Sequence, residues 1–250
     1  MAAAPPATPL RFGPNKYAAF YLLFSRWLRH YATPQQYSYV TLGGTELRDM
    51  RNLSFVDPRL MTTAASYEHD RGRHALATKR MEELRKLGLD VITIEGDILS
   101  CVRVSAHAHI FFFDITGVFA WADYHERLAA LFLREVIKEG DVFFITSHLG
   151  RNPGWARIFS SFSGEFSLLR ATDSESKRNW YRRAHPSFTI FKALREARVE
   201  DQLRIRCFGC VEYLDTSPMG LYGYAVMPGR TNFTEFIDDA EALYFRLGRD

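Results

Sequence analysis

The chain predicts an α/β fold: a doubly wound, mostly parallel sheet with helices on both faces and a C-terminal antiparallel β-hairpin. Three observations carry this. Short strand-like runs alternate with segments of helical period from residue 37 to residue 200. Strand–helix alternation requires crossover connections, and these make neighbouring strands parallel. Second, HIFFFDIT (109–116) is almost wholly apolar, as expected of a strand buried on both faces. Third, LRIRCFGCVEYL and MGLYGYAVM, joined by DTSP, read as a hairpin.

The elements follow in order. Residues 14–32, PNKYAAFYLLFSRWLRHYA, space apolar groups as a helix with Arg26, Arg29 and His30 between them. YVTLG (39–43) is a short strand, and TELRDM (45–50) starts a helix with Thr45 as N-cap. TTAASYE (62–68) is a strand. DRGRHALATKRMEELRKLGL (70–89) is an amphipathic helix with Ala75, Leu76, Met81, Leu84 and Leu87 on its apolar side and Gly88 ending it. DVITIEGD (90–97) is a strand, WADYHERLAALFLREVIKEG (121–140) a helix, and DVFFITS (141–147) another buried strand. From 150 to 185 the pattern weakens, with Gly150, Pro153, Gly154, Gly164 and Pro186 as breakers. SFTIFKALREARVE (187–200) is a helix, and TNFTEFIDDAEALYFRL (231–247) closes the chain as another.

Composition narrows the class. The 250 residues are 47% hydrophobic and 24% charged, ordinary values for a soluble globular domain. The domain division expected is a lead-in over 1–13, an N-terminal helical segment over 14–36, and one α/β domain over 37–250 with an irregular basic insertion at about 150–185. The opening MAAAPPATPLRFGP lacks a charged start followed by an apolar core, so it reads as a disordered lead-in rather than a signal peptide. No apolar run reaches the roughly 20 residues of a membrane span. Cys101, Cys207 and Cys210 cannot form a disulfide framework, and a cytoplasmic setting is the simplest.

Open parallel sheets bind ligands beyond the carboxyl ends of their strands, where strand order reverses. The residues at those ends are Leu42-Gly43-Gly44, Glu68, Glu95-Gly96-Asp97, Asp114 and Ser147-His148. Glu68 lies 25 residues after Gly43, near the roughly 20-residue offset at which a carboxylate meets a ribose diol in such folds. A carboxylate suits that task because it accepts hydrogen bonds from both hydroxyls. Glycines suit a turn that a ligand must approach closely.

The succession LGGTE, YEHD, IEGD and FFFDITG, with the element order and the terminal hairpin, resembles the class I S-adenosylmethionine-dependent methyltransferases over about residues 37–230. The resemblance implies S-adenosylmethionine as cofactor. It places Leu42, Gly43 and Gly44 under the methionine part, Glu68 on the ribose, Asp97 on adenine and Asp114 facing the reaction. His148 and Arg151 join that side, His148 as a base for transfer to oxygen. The chain also departs from the pattern. The family's usual turn is D/E-x-G-x-G-x-G, and here it is Val40-Thr41-Leu42-Gly43-Gly44-Thr45-Glu46, without the upstream acid. Two readings stay open: a variant cofactor turn, or a methyltransferase fold that no longer catalyses and serves as a binding or assembly module. A dinucleotide site would show the fuller glycine pattern.

Each residue also has a plain structural role available. Glu68 can salt-bridge at a strand end, Asp97 can shape a turn, Asp114 can cap a helix, and His148 can be a satisfied loop residue. DITG in place of [DNS]-P-P-[YF] disfavours methylation of a nucleobase amine, and no cysteine follows a proline as C5-cytosine chemistry requires. HAH (107–109) is a possible metal pair without a third ligand. CFGC (207–210) resembles C-x-x-C, but in a strand i and i+3 point to opposite faces. Residues 151–206 carry 12 Arg/Lys against 6 Asp/Glu, with Trp155, Trp180 and Tyr181 interspersed. That mixture suits nucleic acid through phosphate contacts and base stacking, or simply a solvated surface.

Overall fold

The protein is described by a computed structural model covering residues 14–33, 35–42, 47, 49–50, 60–86, 90–102, 107–115, 124–149, 174–214, 217–233, 235 and 244–247. In chain order these give α1 (Pro14–His30), β1 (Tyr37–Thr41), β2 (Met61–Glu68), α2 (Arg71–Arg85), β3 (Asp90–Glu95), α3 (Ile98–Cys101) and β4 (Ala108–Asp114). Then come α4 (Tyr124–Leu133), β5 (Val142–His148), α5 (Ser174–Ala197), β6 (Leu203–Leu214), β7 (Pro218–Pro228) and β8 (Tyr244–Arg246). The lead-in 1–13, the insertion up to residue 173 and the expected helix 45–50, apart from Leu47, Asp49 and Met50, lie outside the described residues.

The sheet has eight strands in the order β3-β2-β1-β4-β5-β7-β6-β8. β1 pairs in parallel with both β2 and β4, so strand order reverses between β1 and β4. β7 runs antiparallel to β5 and to β6, which confirms the hairpin and the doubly wound class.

Two apolar layers sandwich the sheet. On one face Ala19, Phe20, Leu23, Phe24 and Trp27 of α1 and Ala77, Met81 and Leu84 of α2 pack on Tyr39, Phe112, Phe144 and Phe208. On the other, Leu128 and Phe132 of α4 and Ile190 and Leu194 of α5 pack on Phe111, Phe113, Phe143 and Ile145. The α1 positions recur at three and four residues, the spacing of one helix face. Burial of apolar surface on both sides of β4 and β5 explains their uninterrupted hydrophobicity. Asp70 caps α2, its side chain accepting from the Arg73 N–H at 2.8 Å.

Several elements differ from the sequence expectation. α4 stops at Leu133 rather than 140, because the chain turns at Glu135 (φ 53°). Val136 and Ile137 then tuck under it, both donating their N–H to the Leu131 carbonyl. α5 begins at Ser174, not 187, and carries Pro186 inside. An interior proline removes one helical hydrogen bond. The neighbouring turns are pinned instead by His185, Ser187 and Thr189, all buried. The predicted closing helix contains β8, which pairs in parallel with β6 at Cys210–Glu212, so sheet pairing overrides the local helical pattern. On α2, Met81 and Leu84 are buried as expected and Ala77 joins them, whereas Ala75 is exposed and Leu76 is 53% exposed; Leu87 lies outside the described residues.

The bulge in β6 is a further correction. The β6–β7 register shifts between Cys207 and Gly209. Cys207 and Cys210 therefore share one face, in contact with the layer containing Tyr222 and Tyr224, while Phe208 turns to the other.

Candidate cofactor and active site

The carboxyl ends of β2, β1, β4 and β5 lie side by side, and their registers fix which side chains share a face. Thr41 is opposite Ser66 and Phe112, and Asp114 is opposite Thr146. Glu68, Asp114 and His148 lie two residues beyond Ser66, Phe112 and Thr146. With a side-chain period of two, all three project to the α1–α2 face at the point where strand order reverses.

Glu68 is 7% exposed. Its Oε1 accepts the Asp70 N–H at 3.0 Å and stands 3.5 Å from His69 Nδ1. Its carbonyl accepts from Gly96 N–H, so the ends of β2 and β3 are tied together. Gly96 has φ 155°, a region that favours glycine and lets the chain leave β3 toward Asp97. Asp97 caps α3: Oδ1 accepts from the Leu99 N–H and Oδ2 from Ser100 Oγ. Arg127 of α4 forms an ion pair with the same Oδ2. That link draws Asp97 toward the α4 side, away from the face shared by Glu68 and Asp114. Leu42, partly buried, packs against the α4–α5 layer.

Asp114 is not a lone carboxylate. Lys16 Nζ, from the first turn of α1, donates to both of its oxygens at 2.5 Å, and Thr146 Oγ1 donates to Oδ1 at 2.8 Å. His148 is half-buried and opposite Met219. Gly43, Gly44 and Arg151 lie outside the described residues.

Beside Asp114 lies a second carboxylate, one that the sequence reading passed over. Asp49 comes from the segment beyond the glycine turn and is 4% exposed. Its Oδ2 accepts from Thr41 Oγ1 at 2.7 Å and from Tyr39 Oη at 2.9 Å. Burial raises its pKa above the ordinary aspartate value; the two hydroxyl donors oppose this and the charge of Asp114 adds to it. Tyr39 is likewise pushed up, by burial and then by Asp49. Leu47, between the glycines and Asp49, is buried with φ 47°, an uncommon conformation for leucine that packing must enforce.

Elsewhere the polar groups serve the fold. His109 is buried against Asp141 (Nδ1–Oδ1 3.4 Å), and Asp141 also accepts the backbone N–H groups of His109 and Lys138. His107 is exposed, and no group of three metal-ligating side chains exists among the described residues. No helix among them is long and apolar enough to cross a membrane.

Lys16 and Asp49 were the residues that sequence reasoning missed. Lys16 meets Asp114 across 98 positions, without a motif to announce it. Asp49 carried a faint signal, as an acid five residues after a glycine pair whose upstream acid is absent.

No protein-family model matches the chain, and no curated protein matches it in sequence. Solved structures match its fold. TYW2 of P. horikoshii in complex with MeSAdo aligns with TM-score 0.50 and 11% identity, over 87% of this chain and 64% of that one. A geranyl diphosphate methyltransferase in complex with SAM aligns at TM-score 0.48 and 10% identity, over 84% of each chain. The chain thus shares the fold of the TYW2 structure, a mostly parallel α/β sheet with antiparallel C-terminal strands. At such identity the likeness concerns architecture.

Proposed function

We propose that the chain binds S-adenosylmethionine at the carboxyl edge of β2, β1 and β4 and directs its methyl group to an acceptor nucleophile. The observation that carries this is Glu68: a nearly enclosed carboxylate at the end of β2, on the same face as Asp114 and His148, beside the reversal of strand order. Burying a carboxylate costs several kcal/mol unless hydrogen bonds or a ligand compensate. The Asp70 N–H supplies one such bond, and a ribose diol supplies more. In this reading Leu42, Gly43 and Gly44 lie under the methionine part and Asp97 meets adenine beyond its α3 cap. Asp114, His148 and Arg151 face the acceptor. The cofactor supplies the methyl group and its leaving group, and the protein supplies placement.

The Lys16 contact refines the acceptor side. An ammonium across both Asp114 oxygens makes that carboxylate a positioning group, which leaves His148 as the side chain suited to take a proton. Transfer to oxygen, or to a nucleic-acid-related acceptor, fits DITG at 114–117 better than methylation of a DNA base amine.

A second reading is favoured by α5. Its start at Ser174 puts SKRNWYRR, with Lys177, Arg178, Arg182 and Arg183, on the half of the helix nearer the β5 end. A non-catalytic module would use residues 151–206 to hold nucleic acid. Calorimetric titration with S-adenosylmethionine and S-adenosylhomocysteine separates the two. Micromolar binding that Glu68→Ala weakens at least about tenfold supports the enzyme. Absence of binding, with salt-sensitive binding of RNA or DNA, supports the module.

A further inference from the structure

α5 crosses the sheet against the direction of β5, and its contacts fix where along it the sheet ends. Just past its close, the Leu203 N–H at the start of β6 donates to the Val199 carbonyl at 2.9 Å. That start lies at the amino edge, because β7 pairs Pro228 with Leu203 and Ala225 with Val142. At the opposite edge His185 Nε2 meets Ser147 Oγ at 2.8 Å, and Ser147 is the last residue but one of β5. Between these points Phe188, Ile190, Leu194 and Ala197 are buried in the layer against the sheet. Yet α5 begins at Ser174. At about 1.5 Å of rise per residue, residues 174–183 carry it roughly 15 Å beyond the carboxyl end of β5.

The overhang stands at the edge proposed for the cofactor, and its composition is distinctive. Residues 174–183 read SESKRNWYRR: Lys177, Arg178, Arg182 and Arg183 against Glu175 as the single acid, with Trp180 and Tyr181 among them. The nearest strand ends do not oppose an anion. β5 ends in His148, and the Asp114 carboxylate on the neighbouring strand is neutralised by Lys16 on both oxygens. We infer that residues 174–183 form an acceptor-gripping arm, which holds the phosphate backbone of a single-stranded nucleic acid across the ends of β4 and β5. The inference rests on the cofactor reading above and names the acceptor class for that site. It moves nucleic-acid binding from a separate surface to the edge where the methyl group is delivered. Guanidiniums suit this partner because they bind phosphate oxygens in pairs. Aromatic rings beside them stack on unpaired bases, which an acidic protein does not offer. The Ser147–His185 bond fixes the root of the arm next to His148.

The test is binding of a labelled oligouridine to the full chain by fluorescence anisotropy over a salt series, with S-adenosylhomocysteine affinity measured in parallel by calorimetry. In Arg182→Gln/Arg183→Gln, oligouridine affinity should fall at least about tenfold. The slope of log affinity against log salt should become shallower by about 1.4, or about 0.7 for each phosphate contact removed. Affinity for S-adenosylhomocysteine should stay within about twofold, with cooperative unfolding retained. Arg182→Lys/Arg183→Lys keeps both charges and should keep the wild-type slope. Crosslinks from a thiouridine-substituted oligomer should fall within residues 174–183 and near His148. Crosslinks confined to the amino edge around Arg230 overturn the inference, as does an unchanged slope in the glutamine variant or equal binding of polyglutamate. A chain that binds S-adenosylhomocysteine but not the oligomer overturns this inference alone. Binding of the oligomer through the arm, with neither S-adenosylmethionine nor S-adenosylhomocysteine bound, removes the cofactor reading and with it the acceptor role of the arm.

Discussion

The hairpin half of the sheet and the carboxyl edge of its parallel half both bury polar groups, but to different ends. On the α5 side of the hairpin half and of β5 beside it, these groups close on one another: Ser147 Oγ with His185 Nε2 at 2.8 Å, and Ser187 Oγ with Tyr224 Oη at 3.0 Å. Each pair staples α5 to the sheet on either side of Pro186. Packing there is equally closed, since a Cβ on Gly223 would meet the Phe208 ring at 2.2 Å. At the parallel edge the charges are borrowed from distant elements, and Ser66 is left without a partner among the described residues. Polar groups satisfied inward belong to stability. Groups gathered at a strand-order reversal and incompletely satisfied are the ones that the proposed binding would use.

Substitutions can break that contrast. Gly223→Ala should have the largest effect, about 3 kcal/mol of lost stability in denaturant unfolding, because a ring inside the core cannot move aside cheaply. Ser147→Ala leaves the buried His185 ring nitrogen without this partner and should cost about 2 kcal/mol in the same measurement. Neither variant should shift S-adenosylhomocysteine affinity once the folded fraction is matched. Should either do so, the two regions are not separable.

On the other side of the comparison, Lys16→Met strands the Asp114 carboxylate. The side chains are 11% and 22% exposed, so solvent moderates the penalty to about 1–2 kcal/mol. The double variant Lys16→Met/Asp114→Asn should regain most of it, and a double-mutant cycle in thermal unfolding reads the coupling.

The smallest effect is a pH dependence. Burial holds the Asp49 pKa above its unfolded value of 3.8, so the folded protein binds that proton more tightly than the unfolded chain. That contribution is full below about pH 3.8 and is lost as pH rises through the folded value. Relative to Asp49→Asn, the wild type should therefore become less stable from about pH 4 toward neutrality. Melting curves across that range check the slope, and a wild type that gains on the variant with rising pH contradicts the burial of Asp49.

Much of the architecture was legible because period is a local property. The wholly apolar IFFF of β4 and the paired runs around DTSP could be read as a buried strand and a hairpin without any long-range information. The same locality explains the failures. Pro186 looked like a break because its cost is local, whereas the contacts that retain the helix come from β5 and β7. YFRL looked helical because the free edge of β6, which captures Tyr244–Arg246, lies over 30 residues earlier. The CFGC reading assumed a regular strand, and the bulge at Phe208 reversed its geometry.

For the site, the sequence alone determined that acids stand at the carboxyl ends of β2, β3 and β4, since strand ends follow from the hydrophobic pattern. Only the tertiary structure decided which of them are engaged and by what. Asp97 is taken by a helix start and Arg127, Asp114 is neutralised from α1, and Asp49 is folded back onto Thr41. Those pairings depend on how helices dock against a twisted sheet, and docking is set by the summed packing of Phe20, Phe24 and Trp27 on Phe112 and Phe144 rather than by the charged residues themselves.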